Sequence, residues 1–262
     1  MGLHICVASG GGSIRSEGAA DDLAMIDLRY ADFAEGDCIV VESDKAPAEV
    51  EVCLDPYLRP SVVWLDAGRL VFPVPFGVAR EPYGQPAFEG ETHWGYVRLL
   101  DGRERGNWRN LALNSHDLEG VAGVFPHAST NSGATNVRFL ARNAIDGVFQ
   151  SCHHGRWPYG SWGINGREDA WLQVDFGRPV HACELVLFLR ADFPHDAWWE
   201  RARVTCSDGY DVEVSLEKTG GPQRFDLGGR DIEWLRLSDL KKADDPSPWP
   251  ALSQLMVMGR LI

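Results

Sequence analysis

The sequence predicts an all-β chain of two β-sandwiches in tandem, on three observations. Glycine (28) and proline (15) punctuate its 262 residues about every 8–12 positions. Between these breaks, apolar and polar residues alternate with a period of two rather than the roughly 3.6 of a helix. No fixed-period repeat, low-complexity segment or helix of real length competes with that pattern.

In chain order, Gly10-Gly11-Gly12 reads as a flexible terminus or a turn, because Ser13-Ile14 follows where a nucleotide loop needs Gly-Lys. Residues 48–54 put Val50, Val52 and Leu54 on one face of a strand and Glu49, Glu51 and Cys53 on the other. Residues 61–65 and 69–74, joined by Asp66-Ala67-Gly68, read as a hairpin. Pro73 and Pro75 cannot donate to a ladder, so that stretch is expected at an edge or in a connecting arch, and alternation resumes over 92–100. The composition turns rich in Ser, Thr, Asn and Gly near Gly120, which divides the chain into residues 1–118 and 119–262. Further strands follow at 170–176, 182–190, 202–206, 211–216, 233–237 and 255–259, with turns at Ser207-Asp208-Gly209 and Gly220-Gly221-Pro222.

Composition narrows the function classes. With 44% hydrophobic and 24% charged residues and every apolar run short, the chain reads as globular, with no membrane span. A net charge of −13 without a local Lys/Arg cluster repels phosphate backbones and anionic lipid, so neither nucleic acid nor membrane is an expected partner. The six cysteines lack C-x-x-C spacing and are expected to be reduced, mostly buried thiols. The start lacks a basic region followed by roughly 7–15 apolar residues, which points to a cytoplasmic location, or an extracellular one if a leader has been lost.

From Arg142-Asn143-Ala144-Ile145-Asp146-Gly147 onward, the chain resembles a discoidin, or coagulation-factor type C, domain. This is the galactose-binding-like group whose bacterial sugar-binding branch is the family-32 carbohydrate-binding modules. In order come Trp157 and Trp162, Ala170-Trp-Leu-Gln-Val-Asp-Phe-Gly177, Ser207-Asp-Gly209, Gln223-Arg-Phe-Asp-Leu227 and Ala251-Leu-Ser-Gln-Leu-Met-Val-Met-Gly259, spanning the whole C-terminal half. The resemblance implies an eight-stranded jelly roll that binds ligand through loops at one end. In many members it also implies a structural calcium near the Asp-Gly segment. Asp146 matches the usual calcium carboxylate, but Gln254 replaces an acid often found near the last strand. Hard cations are held by charged oxygens, so that site is expected to be weaker or absent. No other cofactor is expected.

Two loops carry the candidate ligand contacts. The first runs from Cys152 to Asn165 and holds His153, His154, Arg156, Trp157, Trp162 and Asn165. An aromatic ring stacks on the apolar face of a pyranose while Arg, His and Asn reach its hydroxyls. Trp157 and Trp162 have the alternative reading of core plugs, and for Trp157 the two readings stand equal. The second runs from Arg190 to Trp199 and offers Arg190, Asp192, His195 and Trp198 or Trp199. Its bland reading is an ion pair from Arg190 to Asp192 or Asp196 that pins the loop. If the ligand is an oligosaccharide or polysaccharide containing uronic acid, Arg156 and Arg190 are the natural carboxylate partners.

The N-terminal half resembles no family, but Glu89, Glu91 and His93 form an acidic and imidazole cluster that can ligate a metal or supply acid–base chemistry, with a third donor from His116 or Asp117. Two functions stand side by side: a binding protein that holds a glycan without catalysis, and a carbohydrate-active enzyme of hydrolase or lyase type, or a subunit of one, whose chemistry sits at Glu89, Glu91 and His93. A structural or protein-docking role is the third.

Overall fold

The computed structural model describes residues 2–150, 158, 160–191 and 197–262; strands dominate their regular structure, with short helical segments only at Gly77–Arg80, Gly102–Arg105, Val137–Phe139 and Ala141–Ala144. The N-terminal part carries β1 (Leu3–Ala8), β2 (Ile14–Ala20), β3 (Leu23–Arg29), β4 (Cys38–Ser43), β5 (Ala48–Cys53), β6 (Ser61–Leu65), β7 (Arg69–Pro73) and β8 (Thr92–Leu99). Two short pieces follow, β9 (Arg109–Asn110) and β10 (Val124–Phe125). The C-terminal part holds β11 (His127–Thr130), β12 (Trp162–Gly163), β13 (Leu172–Leu189), β14 (Trp199–Cys206), β15 (Asp211–Ser215), β16 (Gln223–Lys242) and β17 (Ala251–Leu261).

In the N-terminal part a four-stranded sheet (β2-β1-β4-β7) and a five-stranded sheet (β10-β6-β5-β8-β3) enclose one hydrophobic core. The period-two pattern places its residues: Val50, Val52 and Leu54 point inward from the β5 stretch, and Ala24, Ile26 and Leu28 from β3. β7, which ends at Pro73, is an edge strand as the prolines require. The glycine run near the N-terminus is the turn of the β1–β2 hairpin, closed by Ser9 N donating to Ser13 O at 2.8 Å.

The hairpin expected between β6 and β7 does not form. β6 pairs with β5 and β10, whereas β7 pairs with β4 in the other sheet, so Asp66-Ala67-Gly68 carries the chain over the core edge from one sheet to the next. A reversal fits either partner locally; burial of Leu70 and Phe72 against the shared core selects β4.

The C-terminal strands form one continuous hydrogen-bonded sheet, β12-β17-β13-β16-β14-β15, with β11 on β13 and β9 on β17, wrapped around a second core. The two strands expected over 170–176 and 182–190 are a single strand, β13, irregular between Asp175 and Val180 and between Ala182 and Glu184. Leu172, Val174, Val180 and Ala182 face inward at even positions, and Leu185, Leu187 and Leu189 at odd ones. The irregularity at Cys183 therefore keeps apolar residues inward as the strand bends. None of the five described cysteines is bridged, and Cys6, Cys53 and Cys206 are buried.

Candidate functional site

The predicted contacts separate into three groups. His153, His154, Arg156, Trp157, Asp192 and His195 lie outside the described residues. Trp162 and Trp199 are corrections: both are 0% exposed, with ring centroids 6.0 Å apart in the C-terminal core. Trp162 donates from Nε1 to Thr130 Oγ1 at 3.1 Å, and neither indole has a free face for a sugar. Asn165 and Arg190, one from each predicted loop, come together.

These two line a cleft of about 360 Å³ at the end of the sandwich, with Phe139, Gly163 and Trp249 as further walls. Asn165 holds φ at +52° and Gly166 at +72°, a tight left-handed turn of the kind Asn and Gly enter most readily. The turn presents Asn165 to solvent on one side and receives Trp249 on the other, whose ring lies 3.6 Å from where a Gly166 Cβ would stand. Gly163 has Phe139 beside it, 3.1 Å from its own would-be Cβ, so a side chain there would push that ring. Arg190 directly follows β13 and is 3% exposed, and its backbone N–H donates to Ala251 O at 2.9 Å, which ties the cleft to the start of β17.

Trp249 had not been singled out in the sequence, yet it is 57% exposed and supplies the cleft's open aromatic face. Its signal was the flanking prolines: the run Pro246-Ser-Pro248-Trp-Pro250 stiffens the segment before β17. An exposed ring, an amide and a guanidinium around a largely apolar hollow form the donor and stacking set that a pyranose ring needs.

The N-terminal cluster does not converge. Glu89 is exposed and pairs with Arg80 at 2.9 Å, Glu91 is exposed just before β8, and His93 is buried with its ring 4.0 Å from that of Phe33. Alternation along β8 sends His93 into the core. Neither proposed third donor is near solvent chemistry: His116 accepts from Leu54 N at 3.2 Å, and burial pushes its imidazole down to about 3. Asp117 accepts from His127 Nδ1 at 2.7 Å and from Ala128 N at 3.0 Å. The bond to Asp117 in turn raises the His127 pKa. Among the described residues no group of three or more His, Cys, Asp or Glu is placed to hold a metal.

The Asp-Gly segment likewise does not fit a calcium ion. Asp146 is buried, its Oδ1 accepts from Val148 N at 2.8 Å, and burial pushes its carboxyl up to about 7. Gln254, 0% exposed, accepts at Oε1 from Gly147 N at 3.0 Å and donates from Nε2 to the carbonyls of Ala144 and Leu255. Calcium takes roughly six to eight oxygens, and the Ala144 carbonyl already faces an N–H donor.

No known protein family and no curated protein matches the chain. Solved structures do. A chitosan-binding module of a chitosanase/glucanase from Paenibacillus sp. IK-5 is 19% identical, covering 58% of this chain and 99% of that module, with a TM-score of 0.40. Two carbohydrate-binding modules and a lectin domain are among them. A family-32 carbohydrate-binding module of C. perfringens NanJ, solved with galactose, is 17% identical over 50% of this chain and 91% of its own, with a TM-score of 0.38. The lectin domain of Lectinolysin, solved with Lewis B antigen, is 17% identical over 57% and 95%, with a TM-score of 0.41.

Proposed function

We propose that the chain is a glycan-binding protein that holds an oligosaccharide or polysaccharide, without cleaving it, in the cleft bounded by Asn165, Arg190 and Trp249. The observation that carries the reading is convergence. Two loops marked in the sequence for sugar-binding side chains each deliver one described residue, Asn165 and Arg190, to a single cleft that also has an exposed indole.

In this reading the Trp249 ring stacks on the apolar face of a sugar, Asn165 bonds a hydroxyl in both directions, and the positive charge of Arg190 at the cleft wall favours an acidic sugar such as a uronic acid.

The test is a glycan array carrying neutral and uronic-acid-containing chains, followed by calorimetry on the best binder. Trp249→Ala is expected to weaken binding about tenfold, or ~1.4 kcal/mol, with unchanged thermal stability because the ring is exposed. Chromatography of the recovered sugar is expected to return it intact. Absence of binding to every glycan, or full affinity in Trp249→Ala, would sink the proposal, and equal affinity for neutral and acidic chains would remove its uronic-acid part.

A further inference from the structure

We infer that the side-chain amide of Gln254 does in this chain the structural work of a bound divalent cation, cross-linking the Ala144–Gly147 segment to the last strand through hydrogen bonds alone. Gln254 sits within β17, opposite Phe188 of β13, and reaches 107 residues back along the chain to Gly147.

A primary amide has one acceptor oxygen and two N–H donors. All three sides are used here: Oε1 takes the Gly147 N–H, and Nε2 serves the carbonyls of Ala144 and Leu255. Both signs of dipole are therefore met in a place closed to water, where an unmet group is costly. A carboxylate at position 254 offers only acceptors. It would still take the Gly147 N–H, but would turn a negative oxygen toward the Ala144 carbonyl, and that arrangement becomes favourable only with a cation between them. The residue type at 254 thus chooses between an ion and an amide as the cross-link.

What the clamp holds is closely packed. Gly147 has φ of +85°, and where its Cβ would stand, Arg59 Cδ comes within 2.7 Å and Leu113 Cδ1 within 2.8 Å. Arg59 comes from the loop between β5 and β6 of the N-terminal part, so the segment fixed by Gln254 is also a surface on which the two halves meet.

The experiment is thermal unfolding of the full chain in EDTA and in calcium chloride, with calorimetric titration of calcium. The natural chain is expected to melt at the same temperature in both and to take up no calcium. Gln254→Leu, which loses all three bonds at similar size, is expected to melt lower in both. Gln254→Glu is expected to melt lower in EDTA, to recover in calcium chloride, and to bind one ion per chain. A calcium-dependent rise in the melting temperature of the natural chain would overturn the inference. So would a Gln254→Leu chain as stable as the natural one, or a Gln254→Glu chain that calcium leaves unchanged.

Discussion

Two buried titratable residues set opposing pH dependences. His116 is held neutral down to about 3 by burial, reinforced by the nearby Arg142 charge, whereas the unfolded chain takes up that proton near 6.5. The unfolded state then binds more protons, so stability falls as pH falls from 6.5 toward 3, by up to ~1.4 kcal/mol per pH unit. Asp146 acts oppositely. Burial raises its carboxyl from 3.8 to about 7, so the folded state keeps a proton the unfolded chain has released, and stability falls as pH rises from 3.8 to 7. Over the shared window these two slopes oppose each other, so together they contribute a shallower pH dependence than either alone. His116→Gln keeps an acceptor for Leu54 N but removes one slope, and its stability should decline as pH rises toward 7. A pH profile for His116→Gln that superimposes on that of the natural chain would contradict this assignment.

Elements are positioned by close backbone approaches as much as by apolar alternation. Gly177 of β13 has φ of +68°, and the Phe125 ring of β10 comes within 2.3 Å of its would-be Cβ, so β10 crosses β13 where no side chain can stand. Gly177→Ala must displace that ring and also adopt a left-handed backbone, which alone costs about 1–2 kcal/mol; a lower melting temperature, measured by calorimetry, is expected. Such crossings explain what the sequence could and could not convey. Strands with a clean period of two, such as β5, β8 and β15, were legible because burial on one face is written into side-chain type. The partner of β7 was not, since Asp66-Ala67-Gly68 specifies a reversal and only the shared core specifies the sheet. Trp199 misled for a related reason. Ala202, Val204 and Cys206 face inward at even positions, and only the irregular register between Trp199 and Arg203 turns an odd-numbered indole the same way. Asn165 and Arg190, from the two loops marked in the sequence, line one cleft, whereas a lone tryptophan between prolines gives no sign of which way its ring turns, so Trp249 was not legible.

At the scale of the molecule, the segment from Arg109 to Thr130 is woven through both cores. β9 pairs with β17, and Leu111 and Ala112 belong to the C-terminal core. The chain then returns to pair Val124 and Phe125 with Leu65 and Trp64 of β6, before β11 joins β13. Between these crossings Ser115 N donates to Ser61 Oγ at 3.0 Å, Leu54 N donates to His116, and Arg142 donates to the carbonyls of Ser115 and Asp117. Arg178, stacked over Trp64, pairs with Glu49 across the same junction. Separating the halves would strip β9 from the C-terminal sheet, unpair β10, and expose Leu111 and the buried polar row from Asn114 to Asp117. Each buried polar group left without its partner costs about 1–3 kcal/mol, and a fully buried leucine contributes about 1.5–3 kcal/mol. Those losses are comparable to the ~5–15 kcal/mol that stabilises a whole domain. The full chain is therefore expected to unfold in one calorimetric transition, with equal calorimetric and van't Hoff enthalpies. A fragment of residues 119–262 should melt well below it or fail to fold, and one beginning at residue 107, which restores β9 and Leu111, should recover part of that loss. Two resolved transitions in the full chain, or a 119–262 fragment as stable as the parent, would show that the junction joins two units that fold independently.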